Sequence, residues 1–304
     1  MNLLMMGAHI ASRNKRYVVW FYLLNLVFAW WGASAFSLAA HSILDHSLYA
    51  GRILHGMDVT VVTELFINPR LGTPAAHGAS STRLAVACLA VSLVFMPGVW
   101  LAYSSDHRIS REEFFRSCGH NVWRFLRLVC LFIIIGGIVT GVLFGVQSSL
   151  VNAADRTSNE RLPFLLMVAG MATIFLGATA IRAWFDLAQA DVVLQDQPAI
   201  RKSLAAGFRA FRQNWAVLLR NYVVIVLAAG AILVSGILLW HAIVPPASAA
   251  GAFLISQLTL FLLLAMRFWQ RATAVAFYLG QLSQTDAAEP ARMPFPASAL
   301  SIQQ

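Results

Sequence analysis

The chain has 304 residues, of which 59% are hydrophobic and only 12% charged, with a formal charge of +9 and a mean hydropathy of +0.69. A charge content about half that of an ordinary globular domain excludes a soluble protein. The positive balance would suit nucleic acid, but most of it comes from arginines that adjoin apolar runs. A membrane explains them better, and no nucleic-acid partner is expected.

A helix crosses the hydrocarbon layer with about 20 mostly apolar residues. Six such runs occur, at Tyr17–Ala40, Leu84–Tyr103, Leu128–Gln147, Pro163–Ala183, Asn221–Trp240 and Gly251–Trp269. They are continuous rather than alternating, which rules against a strand-built barrel. The predicted fold class is therefore all-α: a polytopic membrane protein with six transmembrane helices and amphipathic surface helices in its cytoplasmic loops. Residues 1–282 form the membrane domain and 283–304 a disordered cytoplasmic tail rich in Pro and small residues.

At the N-terminus a basic "RNKR", an apolar run and "ASA" at Ala33–Ala35 resemble a secretory signal with its cleavage site. The run continues past that point and is long enough to span, which favours an uncleaved first helix. The loop 41–83 that follows reads as two short amphipathic helices broken around Gly56, then an irregular "NPRLGTPAAHGASS". Its His41, Asp45, His46, His55 and Asp58 match no metal signature. Inside the second span, Pro97 and Gly98 of "MPGVW" should bend the helix.

Alternate loops differ sharply in Lys and Arg. With both termini cytoplasmic, seventeen basic residues lie inside and five outside, as the positive-inside rule requires. The second loop carries "FRSCGHNVWRFLR" at Phe115–Arg127, and a related "FRAFRQNWAVLLR" returns at Phe208–Arg220 in the fourth. At this constant offset Arg108/Arg201, Ser110/Ser203, Phe115/Phe208, Arg116/Arg209, Asn121/Asn214, Leu126/Leu219 and Arg127/Arg220 coincide. The spacing predicts a parallel repeat of two hairpins, 84–147 and 163–240.

Each string also has helical periodicity. Phe115, Cys118, Val122 and Phe125 make one apolar stripe; Ile200, Leu204, Phe208, Phe211, Trp215 and Leu218 make the other. "SREE", Ser110–Glu113, has the form of a capping box and marks a helix start. Basic amphipathic helices beside an anionic leaflet gain roughly 1 kcal/mol per nearby Lys or Arg. The expected headgroup contacts are Arg116, Arg124, Arg127, Arg209, Arg212 and Arg220, with anionic membrane lipids as partners.

In the third span Gly137, Gly141 and Gly145 recur every four residues and form a helix packing face, more readily against a helix of the same chain than against another protomer. The fourth span ends in "RAWFDLAQADVVLQD", where Arg182, Asp186 and Gln189 share a face and Asp191 pairs with Gln195. Arg267 and Arg271 end the last span at matching depth, so Asp186 or Asp191 should pair with one of them in an interhelix polar clamp. Asn25 and Gln257 are polar within spans and are expected to bond between helices. Cys88, Cys118 and Cys130 read as packing residues.

The chain has no serine elbow, phosphate-binding glycine loop or metalloprotease helix. No catalytic residue, metal or cofactor is expected. "MPGVWLAY", "SREEFFRSCGHNVWRFLRL" and "DLAQADVVLQDQPAIRKSLAAGFRAFRQNW" resemble uncharacterised six-helix bacterial membrane proteins. That pattern is similar to the membrane domain of glycerophosphodiester phosphodiesterases over about residues 80–280. The resemblance implies a bacterial cytoplasmic (inner) membrane location and a non-catalytic helical domain; the phosphodiesterase activity does not carry over, because no catalytic position is matched. The expected function is a non-enzymatic membrane protein that binds anionic lipid or a membrane partner, a homo-oligomer included. A small-solute or lipid permease is the alternative.

Overall fold

The computed structural model describes residues 2–44, 74–155, 161–245 and 248–288. The side chain of His41, the residues Asp45, His46, His55 and Asp58, and the tail 289–304 lie outside the described residues, as does most of the loop 41–83. Eight helices and no strand occur among the described residues: α1 Leu3–Arg13, α2 Lys15–Leu44, α3 Pro74–Ser104, α4 Arg111–Ala154, α5 Arg161–Leu194, α6 Ile200–Gln213, α7 Trp215–Ile243 and α8 Ala249–Ala288. Five of them, α3, α4, α5, α7 and α8, are long and apolar enough to cross a membrane. The remaining predicted span falls on α2, whose side chains are described only as far as Gly32.

Two boundaries differ from the sequence reading. "PAAHGASS" is not irregular: Pro74 opens α3, where its fixed φ and missing amide cost nothing in a first turn. The helix α8 runs on to Ala288, past the predicted start of the tail at 283. The sequence reading also passed over α1 as a helix.

The three helices α3, α5 and α8 pack on one another. Around them, α2 lies against α8 and α3, α4 against α3 and α5, and α7 against α5 and α8. Of the shorter pieces, α1 is seated on α8 and α6 on α5, and the first turns of α4 lie on α3. The seats of α1 and α6 share details. Trp184 of α5 donates its Nε1–H to the Leu204 carbonyl of α6 at 2.9 Å, and Trp269 of α8 donates to the Leu4 carbonyl of α1 at 3.0 Å. A Cβ on Gly207 would meet the Ala188 backbone nitrogen at 2.8 Å, and one on Gly7 would meet Thr273 at 2.2 Å. Seven residues after each glycine, Asn14 (φ −106, ψ 24) and Asn214 (φ −128, ψ 27) break the chain between the short helix and the long one.

Among the described residues the main cluster of buried side chains lies at one end of this bundle, the basic end. Val99, Trp100 and Tyr103 of α3, Phe125 and Leu128 of α4, Phe185 and Leu187 of α5, Leu218 and Tyr222 of α7, and Phe268 and Val275 of α8 are almost wholly buried. In the most apolar windows of α4, α5, α7 and α8, by contrast, no more than 11% of residues are buried. Isoleucine, valine, leucine and phenylalanine there, such as Ile138, Phe164, Leu238 and Leu254, face outward. A bilayer suits them, because lipid tails are as apolar as the side chains and nothing drives those halves together.

Candidate functional site

Polar and charged side chains gather where the core is densest, at the basic end of α5, α7 and α8. Asp186 and Asp191 of α5 are each only 5% exposed, a placement that costs free energy unless each carboxylate is hydrogen-bonded. Tyr222 of α7 donates its hydroxyl to Asp186 Oδ2 at 3.0 Å, and Arg182 Nε lies 3.9 Å from the same oxygen. Tyr278 of α8 donates to Asp191 Oδ1. Arg182 also donates from Nε to Gln270 Oε1 of α8 at 3.1 Å.

The expected clamp is therefore corrected in its chemistry. Among the described residues no ion pair joins Asp186 or Asp191 to Arg267 or Arg271. The two tyrosines and Gln270 bridge the helices instead, because a phenol reaches a buried carboxylate without bringing a second charge that must be desolvated. Arg271 rests its guanidinium over the Phe268 ring, 5.5 Å from the centroid. Tyr222 and Tyr278 give no sign of this role in the sequence; each is one aromatic residue among many in an apolar run.

The six rim arginines separate into two groups. Arg124 is engaged: its Nη1 donates to Asp196 Oδ1 at 2.5 Å, and His120 Nε2 lies 2.9 Å from the same oxygen. Asp196 sits in the turn after α5 with φ of 45°, a left-handed conformation that aspartate tolerates better than most residues. "QDQP", with Pro198 after the helix end, is the signal that marks this turn. Arg116 pairs along its own helix with Glu112 at 2.6 Å, fully at the surface. Arg127 covers the Trp123 ring at 5.2 Å. Arg209, Arg212 and Arg220 are exposed, beside the exposed rings of Phe208 and Trp215.

The two related strings are built differently. In the earlier one Ser110 caps α4, accepting from the Glu113 amide at 3.1 Å while Glu113 returns a bond to the Ser110 amide at 2.8 Å. From there α4 runs unbroken for 44 residues, about 66 Å. The predicted surface helix of the second loop is thus the first third of a continuous helix rather than a separate element, with Asn121 buried inside it. In the later string Asn214 breaks the helix and α6 stands apart. Its buried face is the small-residue line Ser203, Gly207 and Ala210, which the sequence reading overlooked in favour of its aromatic stripe.

The glycine face of α4 is also corrected. A Cβ added at Gly137, Gly141 or Gly145 would meet nothing within 4 Å, so this face packs against no described part of the chain. Helix α5 supplies the close contacts: Gly170 lies under the Gln147 side chain, and Gly177 lies 3.1 Å from Leu143 when given a Cβ. A groove of about 320 Å³ lies between α2 and α8, lined by Tyr22, Asn25, Ala29, Gln257, Leu264 and Arg267. Both spanning polar residues bond between helices there, Gln257 accepting from Tyr22 at 2.9 Å and Asn25 from Cys88 Sγ at 3.0 Å.

Comparison of the chain with protein-family models, with curated proteins and with solved structures finds no match.

Proposed function

We propose that the protein is a six-span component of a bacterial cytoplasmic membrane, with both termini inside, and that it binds anionic lipid through its basic rim without enzymatic activity. The observation that carries the reading is the posture of α6 and the start of α7. The small-residue face of α6 is buried on α5 while Arg209, Arg212, Arg220, Phe208 and Trp215 are exposed. Cations beside exposed aromatic rings suit the headgroup layer of an anionic leaflet. Arg116 and Arg127 extend the rim; Arg124, held by Asp196, is withdrawn from it. The seating of α1 on the later part of α8 puts the first described helix beside the last one, which supports the orientation drawn from charge.

The repeat is proposed to extend to three units, α3–α4, α5–α6–α7 and a third in which α8 is completed by α1 and α2 from the other end of the chain. Kinship with the membrane domain of glycerophosphodiester phosphodiesterases remains part of the proposal. The outward glycines of α4 leave room for close approach by a membrane partner or a second copy. A permease for a small solute or lipid is the second reading, favoured by the placement of Asn25 and Gln257 on one groove.

Native mass spectrometry of the gently extracted protein tests the rim. Retained phosphatidylglycerol should fall in an Arg209→Gln, Arg212→Gln variant; unchanged retention would sink the headgroup reading.

A further inference from the structure

We propose that the groove between α2 and α8 is a binding site for one anionic phospholipid of the inner leaflet, with its phosphate on Arg267 and one acyl chain along the groove. The site takes its leaflet from the topology proposed above, and it is separate from the rim arginines of α6 and α7.

Size and shape come first. At about 320 Å³ the groove falls within the roughly 300–1,000 Å³ of ordinary ligand sites. Its length runs from Gln257 to Arg267, ten residues of one helix and hence about 15 Å. That is about half of a hydrocarbon core roughly 30 Å thick, the depth of a single leaflet. Val27, Trp30, Leu258 and Leu260 are exposed on the same two helices, so a chain can enter sideways from the bilayer.

Charge then selects the lipid. The polar groups at the far end already have partners, Tyr22 with Gln257 and Asn25 with Cys88, and they ask for no polar ligand. Arg267, at the near end, forms no hydrogen bond or ion pair with another described residue. Arg182, Arg271 and Asp186 are close enough to act on it electrostatically. Three guanidinium groups thus share one carboxylate, and the second, Asp191, is held by Tyr278. Uncompensated positive charge at the edge of a low-dielectric layer is expensive, and an anionic headgroup supplies the missing charge. Water alone would satisfy the guanidinium donors without balancing that charge.

The test uses full-length protein in detergent with an equal mixture of 1-palmitoyl-2-oleoyl phosphatidylglycerol and the corresponding phosphatidylcholine, read by native mass spectrometry. Wild type should hold one phosphatidylglycerol per chain after phosphatidylcholine has been stripped. Arg267→Gln should lower that tightly held fraction by about five- to tenfold. Ala29→Trp, which fills the groove and alters no charge, should lower it as much, and it decides the matter if Arg267→Gln does not fold. Arg209→Gln with Arg212→Gln should remove only further, weaker lipids. Retention of the tight lipid in Ala29→Trp overturns the acyl-chain placement, and equal retention of both lipid types in wild type overturns the charge argument. Loss confined to the rim variant would leave the rim reading standing and this one refuted; loss confined to the groove variants would do the reverse.

Discussion

At the scale of single residues, the buried carboxylates depend on tyrosine. Replacing Tyr222 with Phe removes the hydroxyl that reaches Asp186 and should cost about 1–3 kcal/mol, the usual penalty for leaving a buried polar group unpaired. Thermal unfolding in detergent measures it. Asp196 behaves differently, because it is exposed. The Arg124 hydrogen bond first, and the His120 contact second, hold its carboxyl below the ordinary carboxylate range. A depressed value means that its contribution is present above the unfolded value of about 3.9 and fades as pH falls through the folded one. The stability difference between wild type and Asp196→Ala should therefore shrink as pH falls below about 4; a difference that stayed undiminished in that range would contradict the pairing. Nothing in the sequence assigns Asp196 this role, since its partners come from a helix more than seventy positions earlier.

Among the elements, two glycines decide where the short helices sit. Gly207 lies against the Ala188 backbone and Gly7 against the Thr273 backbone, and backbone cannot move aside as a flexible side chain can. Gly207→Leu and Gly7→Leu should each destabilise the protein by at least about 1–3 kcal/mol through overpacking. Gly141→Leu, placed where a Cβ meets nothing within 4 Å, should leave monomer stability within about 0.5 kcal/mol. Parallel melting curves of the three variants check both halves of this statement. The glycine spacing in α4 looked like a contact, and the isolated glycines of α1 and α6 did not. Periodicity reports which residues share a face, not which face a neighbour covers.

For the whole molecule, the proposed orientation has a direct readout. Ser12 and Ser283 are exposed near opposite ends of the chain. In a background lacking Cys88, Cys118 and Cys130, cysteine at either position should react with a membrane-impermeant maleimide only after the cells are opened. Labelling of one but not the other in intact cells would place the termini on opposite sides. Composition and patterning by themselves determined the helical membrane class, the apolar runs and the basic asymmetry, because spanning a bilayer demands long runs of satisfied backbone whatever the neighbours are. The cap at Ser110 was legible for a similar reason, since its partners lie three residues apart. Only the tertiary structure decided that α4 continues unbroken, that tyrosines rather than arginines meet Asp186 and Asp191, and that α1 packs on α8. Those choices depend on what another helix presents at contact distance, and residues that meet there can be 265 positions apart in sequence, as Leu4 and Trp269 are.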